Sequence, residues 1–189
     1  VLGTDIKGSG LAQIELTATD AVTIGSLQSA NNTLNAIRVT STADAIVDGG
    51  EIDVDLVANQ TGSRITLSAF SGIGSCDALE TAAYQIDARN LGPTGNIGIH
   101  EVAAGGDLIS LAALNSATGG SILLGVDAGS LTVTGAGIAA INGNITLLAA
   151  NDLMVQAAVT TTADGDIYVL AENNTNDAVL PNVDGLTIT

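Results

Sequence analysis

A short phrase recurs along the chain at intervals of roughly two dozen residues, and this repeat constrains the fold more than any other feature of the sequence. Each copy has a small or turn-forming residue, then polar residues, then an alternating pair of apolar residues. Self-similarity at such a spacing is typical of solenoids, in which one repeat forms one coil. The copies begin at Gly10, Asn35, Gly62, Gly95, Gly120, Gly143, Gly165 and Gly185.

Apolar and polar residues alternate within each unit, as in Ile145, Thr146 and Leu147. A period of two is typical of a β-strand with one buried face. Gly, Asn and Asp separate these stretches, and they are the residues that tolerate the backbone of tight corners. No stretch keeps the apolar spacing of a helix over about ten residues, so the pattern predicts an all-β chain.

A parallel β-helix explains the repeat better than a sandwich or barrel does. Hairpin signals are few, and the only aromatic residues are Phe70, Tyr84 and Tyr168, whereas sandwich cores use bulky side chains. We therefore predict a single β-solenoid domain over residues 1–189, with about eight coils of roughly 22–25 residues. Because matching residues of successive coils stack, two columns are expected. They are Ile97, Ile122, Ile145, Ile167 and Leu186, and beside them Leu108 or Ile109, Leu131 and Leu153.

The regular period is lost between residues 45 and 94. Residues 45–58 and 71–94 are too long for a plain coil, so we expect inserted segments there, as side loops or as a short helix around residues 78–84. A long insert is where a solenoid usually carries a specific binding surface.

The charge pattern excludes two classes of partner. The chain has 4 Lys and Arg residues against 20 Asp and Glu residues, for a formal net charge of -16. Nucleic acid and anionic membrane surfaces require clustered basic residues, and Lys7, Arg38, Arg64 and Arg89 are scattered. No apolar run approaches the roughly 20 residues of a membrane-spanning helix, so membrane insertion is not expected.

Three acidic residues, Glu51, Asp53 and Asp55, alternate along one stretch and are expected to project to one face. Calcium binds six to eight oxygen atoms, so this row predicts part of a calcium site, completed by Asp48 or by an adjacent coil. The alternative is a solvated charged face that discourages association of sheet edges. No other cofactor is expected.

Nothing in the sequence assembles a catalytic group. His100 stands beside Glu101 without a Ser, a Cys or a second His at suitable spacing, and we expect it to face outward from a strand. Cys76 has no partner and is expected to be a small buried side chain. Polysaccharide lyases and hydrolases often use β-helices, but the aromatic platforms and clustered basic residues of such sites are missing. We expect a chain without enzymatic activity.

Residues 143–174 (GNITLLAANDLMVQAAVTTTADGDIYVLAENN) resemble the repeats of filamentous haemagglutinin-type adhesins and related bacterial surface proteins with β-strand repeats. The resemblance covers residues 95–189 well and residues 1–94 more loosely, where the longer units depart from the family's period. It implies a right-handed parallel β-helix, secreted and displayed on the bacterial surface as a stalk, fibre or adhesin segment.

These observations lead to one main expectation about function and one alternative. The main expectation is a non-enzymatic, rigid rod within an extracellular adhesin or fibre, whose end coils bind further coils of the same polypeptide or other copies head to tail. The alternative is a module that binds a glycan or a host-surface protein through residues 71–94. The chain begins at Val1 without a signal-like stretch, which indicates a processed product or an internal piece.

Overall fold

The computed structural model describes residues 6–50, 54–104 and 106–172, together with the backbone of residues 186–188. Within these residues the chain is all β and has no helix. Parallel strands stack as a β-solenoid of about seven turns, with about 23 residues per coil. The predicted parallel β-helix is confirmed, with about one turn fewer than expected.

The described residues form nineteen short strands joined by tight corners. They are β1 (Ile6–Gly8), β2 (Ile14–Ala18), β3 (Val22–Ile24), β4 (Leu27–Ser29), β5 (Ile37–Ser41), β6 (Ile46–Asp48), β7 (Leu56–Ala58), β8 (Ile65–Ala69), β9 (Leu79–Ala83), β10 (Gln85–Asn90), β11 (Ile97–Glu101), β12 (Leu108–Thr118), β13 (Ile122–Val126), β14 (Leu131–Ile141), β15 (Ile145–Ala149), β16 (Leu153–Val155), β17 (Val159–Thr161), β18 (Ile167–Ala171) and β19 (Leu186–Ile188).

Two long parallel sheets form the sides of the solenoid. The first sheet has the order β1-β4-β7-β9-β11-β13-β15-β18, and the second has the order β2-β5-β8-β10-β12-β14-β16-β19, with β17 also beside β14. A short third sheet pairs β3 with β6 and continues through bridges from Ile46 to Ile73 and from Ile73 to Ile97. The third sheet therefore runs into the start of β11, while Ile99–Glu101 of β11 pairs with β9.

Both predicted aliphatic columns are present. Ile97, Ile122, Ile145 and Ile167 are partners on successive strands of the first sheet. Leu108, and not Ile109, starts the second column, and it is followed by Leu131 and Leu153. The placement of Leu186 in the first column was wrong, because its backbone pairs with Leu153 in the second sheet.

The segment around residues 78–84 is not a helix. Leu79–Ala83 forms strand β9, which pairs with β7 on one side and β11 on the other. These residues have good helix propensity, but two neighbouring strands bond to the backbone of β9 and Leu79 is completely buried. The described parts of residues 45–58 and 71–94 likewise contribute β6, β7, β9 and β10 to the coils, and β6 and Ile73 take part in the third sheet.

Buried asparagines hold corners of the second sheet. Asn90 donates a hydrogen bond from Nδ2 to Oδ1 of Asn115 at 2.9 Å and another to the backbone oxygen of Thr94 at 2.8 Å. Asn115 in turn donates to the backbone oxygen of Ser121 at 3.1 Å. Buried polar groups are stable only when they are bonded, so these contacts fix one corner on the next.

Candidate metal centre

Three carboxylates meet on one side of the early coils. Asp48, Asp55 and Glu80 each place a carboxylate oxygen so that the three atoms lie within 4.8 Å of one another. Asp55 is fully buried, whereas Asp48 and Glu80 are half-buried. The cluster is therefore open to solvent on one side and closed on the other.

The solenoid itself brings these three residues together. Asp48 is the last residue of β6, and its Oδ1 accepts a hydrogen bond from the backbone N–H of Gly50 at 2.9 Å. Gly50 has a φ of 79°, the left-handed conformation that such a turn requires. Asp55 directly precedes β7, and Leu56 pairs with Thr81, so Asp55 and Glu80 lie side by side on neighbouring coils.

Asp55 has one satisfied oxygen and one unsatisfied oxygen. Its Oδ2 accepts the backbone N–H of Glu80 at 2.9 Å, while the buried Oδ1 has no hydrogen-bond partner. Burial, and to a smaller extent the nearby charge of Asp48, raise the pKa of Asp55 to about 9 against the lowering effect of the Glu80 N–H. Without a cation, Asp55 therefore carries a proton at neutral pH.

In the described part of the chain, no ion pair involves the cluster. Among the described residues, ion pairs form between Arg38 and Glu15, between Arg89 and Asp87, and between His100 and Asp127, and none includes a cluster residue. A concentration of carboxylate oxygens suits a hard divalent cation, which prefers oxygen ligands.

A second buried carboxylate, Glu101, is bonded very differently. Its Oε2 accepts hydrogen bonds from the Thr81 hydroxyl and the Ala83 N–H, both at 2.8 Å, and its Oε1 accepts the Ala103 N–H at 3.3 Å. Burial raises the pKa of Glu101 to about 7, although these hydrogen bonds and the charge of His100 lower it. Glu101 is therefore a structural acceptor whose oxygens are both used.

His100 faces outward, as the sequence predicts. It lies beside Glu80 on the neighbouring strand, and its Nε2 is 2.5 Å from Oδ1 of Asp127. The two side chains of this pair are 40% and 53% exposed, so the pair is a surface contact. Glu101, the next residue along β11, points to the buried side.

Asp55 alone of the predicted calcium row Glu51, Asp53 and Asp55 lies among the described residues. Glu51 and Asp53 lie outside the described residues. Asp55 is buried rather than on a solvated face, and it meets Asp48, which the sequence suggested as a helper. Glu80 from the adjacent coil was missed as an individual residue. A spacing of one coil from Asp55 could have identified it.

Cys76 is exposed, so its predicted burial was wrong. It lies in the corner between Ile73 and β9, where no strand covers it, and it lines a groove of about 360 Å³. The other residues of this groove are Gly74, Ser75, Ala78, Asn96, Ile97, Gly98, Ser121, Ile122, Leu123, Asn144 and Thr146.

Two further findings bear on function. Among the described residues, no helix is long and apolar enough to cross a membrane. The chain matches no protein-family model, no curated protein and no solved structure.

Proposed function

We propose that this chain is a rigid structural segment of a secreted or surface-displayed bacterial fibre or adhesin, without enzymatic activity. The observation that supports this proposal is the in-register stacking of equivalent residues over successive coils, as in Ile97, Ile122, Ile145 and Ile167. A molecule built in this way extends along one axis, by about 4.8 Å for each coil.

Close contact between corners supports a rigid rod. A Cβ atom placed on Gly129 or Gly143 would lie 2.0 Å from a carbonyl oxygen of the preceding coil, that of Gly106 or Gly120 respectively. Because backbone atoms cannot move aside cheaply, these glycines allow the corners to stack directly. The net charge of -16 keeps rods apart laterally.

The strand β18 supports association end to end. It is the last described strand of the first sheet, and it exposes 45% of Ile167 and 56% of Tyr168. An uncovered apolar strand is a template for further strand pairing. In this proposal a second copy docks its first coil on β18 and extends the rod.

Sedimentation velocity over a range of concentrations tests this association. The wild-type chain should form elongated multimers, and Ile167→Lys should remain monomeric because it places a charge in the contact. Leu91→Lys is a matched control, since Leu91 is 61% exposed and lies between β10 and β11, in neither end coil. A wild-type chain that is monomeric throughout would contradict the proposal of head-to-tail docking.

Location needs its own test. Antibodies against the folded chain should label intact cells of the producing bacterium, or fibres shed from them, without permeabilisation. Labelling only after permeabilisation would contradict an extracellular role.

A glycan-binding role through residues 71–94 is the second candidate, and the groove beside Gly74, Ser75, Cys76 and Ala78 favours it. Asn96 and Asn144 use their Oδ1 atoms to accept the N–H groups of Ser121 and Asp166, both at 2.9 Å. Within the described part of the chain, their Nδ2 groups donate to no other residue and can bind a sugar hydroxyl.

A paired substitution tests this candidate without disturbing the corners. Asn96→Asp combined with Asn144→Asp keeps both acceptor oxygens and removes both amide donors. On a glycan array, this variant should lose binding that the wild type and the exposed control Asn32→Asp retain. Unchanged binding, or none by the wild type, would count against the groove.

A further inference from the structure

We propose that Asp48, Asp55 and Glu80 form a calcium site that joins two neighbouring coils. This inference goes beyond the rod function, since a rod could stack without any cation. It rests on the geometry of the three carboxylates and on one buried oxygen that the protein leaves without a partner.

The unpartnered oxygen of Asp55 is the observation that points to a cation. Asp55 has no exposed surface, and its Oδ1 receives no hydrogen bond, although Oδ2 of the same group receives the Glu80 N–H. Buried carboxylate oxygens are almost always bonded to a donor or to a metal ion. The other two members of the cluster are also acids, so one cation satisfies all three carboxylates at once.

The size of the cluster fits calcium. Calcium–oxygen distances are about 2.3–2.6 Å, so ligands on opposite sides of the ion are about 4.6–5.2 Å apart. The three carboxylate oxygens lie within 4.8 Å of one another, so all three can reach one calcium ion. Magnesium–oxygen distances are about 2.0–2.1 Å in an octahedron, so two oxygen ligands of magnesium cannot be more than about 4.2 Å apart. This is a stricter condition than the one that calcium sets.

The charge balance also fits a divalent ion. When all three carboxylates are ionised, the cluster carries three negative charges, and no Lys or Arg among the described residues pairs with them. Two of the oxygens already accept N–H groups from Gly50 and Glu80. Water must therefore supply part of the shell of six to eight oxygens, which suits the affinity of about 10⁻⁴–10⁻³ M found in extracellular calcium modules.

The position of the cluster gives the cation a mechanical role. Asp48 and Asp55 belong to one coil, at the end of β6 and the start of β7, whereas Glu80 belongs to β9 of the next coil. A cation bound by all three residues bridges the coils across the corner that follows β6. Its removal leaves repulsion between carboxylates at that junction.

Calorimetric titration of the chelator-treated 189-residue chain with calcium chloride tests the site. The wild type should show one saturable site, with magnesium chloride binding at least about tenfold more weakly. Asp55→Asn, which keeps the shape and the acceptor for the Glu80 N–H, should abolish saturable binding. Asp48→Asn and Glu80→Gln should each weaken binding by about ten- to a hundredfold.

Matched controls separate this site from general attraction to an acidic protein. Asp127→Asn and Asp152→Asn each remove one exposed carboxylate elsewhere and should leave calcium binding unchanged. Far-UV circular dichroism should show that each variant keeps its β structure. If Asp55→Asn does not fold, the half-buried Asp48→Asn provides the same test. The proposal would be overturned if the wild type showed no saturable calcium site or bound magnesium equally well. It would also be overturned if a folded Asp55→Asn or Asp48→Asn variant kept full calcium binding.

Discussion

The regions around Asp55 and Glu101 contain the same kind of group in contrasting surroundings. Both carboxylates are fully buried beside the first sheet, one before β7 and the other at the end of β11. Glu101 accepts three hydrogen bonds and has no unused oxygen, whereas Asp55 accepts one and keeps a buried oxygen without a partner. Burial alone therefore does not distinguish the two carboxylates, whereas the unsatisfied oxygen of Asp55 does.

The donors explain this difference. Glu101 reaches the end of β9, where the Thr81 hydroxyl and the Ala83 N–H point at it, and its other oxygen accepts the N–H of Ala103. Asp55 accepts one hydrogen bond, from the N–H of Glu80, and the other members of its cluster are two acids. The protein therefore completes the bonding of Glu101 by itself and leaves that of Asp55 to a proton or a cation.

The largest expected effect is on the pH dependence of stability in the presence of chelator. In the folded chain the pKa of Asp55 is about 9 and that of Glu101 is about 7. In the unfolded chain the two pKa values are near 3.8 and 4.5. Because the unfolded chain loses these protons first, the free energy of unfolding should fall as pH rises. Each group contributes up to about 1.4 kcal/mol per pH unit within its own window.

Denaturant titrations at several pH values distinguish the two carboxyls. The slope should be steepest between about pH 5 and 7, where both groups contribute, and should continue to about pH 9 through Asp55 alone. Asp55→Asn should remove the part above pH 7. A stability that does not fall with pH, or a slope above pH 7 that survives in Asp55→Asn, would contradict this assignment.

Truncation of the two side chains should give the next largest difference. Glu101→Ala leaves the N–H groups of Ala83 and Ala103 without acceptors and opens a cavity, so it should cost about 3–5 kcal/mol. Asp55→Ala leaves only the N–H of Glu80 without an acceptor, so it should cost less than about 2 kcal/mol. Chemical denaturation in chelator at pH 7 measures the free energy of unfolding of both variants. Equal losses of stability would contradict the expected difference.

Substitution of each carboxyl by the matching amide should change stability in opposite directions at the two sites. Glu101→Gln turns one acceptor into a donor facing an N–H group, so it should destabilise the fold by about 1–2 kcal/mol. Asp55→Asn keeps the acceptor for Glu80 and gives donors to Asp48 and Glu80, so in chelator it should be neutral or stabilising. Thermal melts at pH 7 measure both. A destabilised Asp55→Asn would indicate that the protein already satisfies this carboxyl.

The smallest effect is expected at the exposed pair of His100 and Asp127. Both side chains contact solvent, so Asp127→Asn should change stability by less than about 1 kcal/mol, and salt should reduce the difference further. Melts at low and high ionic strength test this. A loss comparable to that of Glu101→Ala would mean that exposure is a poor guide to the contribution of these carboxylates.

Sequence periodicity predicted the parts of the fold that depend on repetition. Ile97, Ile122 and Ile145 stack because each coil repeats the last, and a fixed spacing reveals this in advance. Leu186 was assigned to the wrong column because the spacing beyond Ile167 no longer identifies which sheet a residue joins. Leu79–Ala83 was assigned to a loop or helix because local propensity cannot show that two neighbouring strands cover it.

The candidate site was predictable only in part. Alternation of acidic residues drew attention to Asp55, but it could not show that this side chain is buried. Glu80 lies one coil's spacing beyond Asp55, but its segment was expected to form a side loop or a short helix, so that spacing was not applied to it. The bonding of Glu101 depends on N–H groups of Ala83 and Ala103, and the sequence carries no side-chain signal for backbone donors.

Hydrogen exchange with and without calcium tests most directly whether the two buried carboxylates differ as described. The backbone N–H groups of Gly50 and Glu80 donate to the cluster, and those of Ala83 and Ala103 donate to Glu101. Calcium should slow exchange at Gly50 and Glu80 and leave Ala83 and Ala103 unchanged. No change at Gly50 and Glu80, or equal slowing at all four residues, would contradict the account.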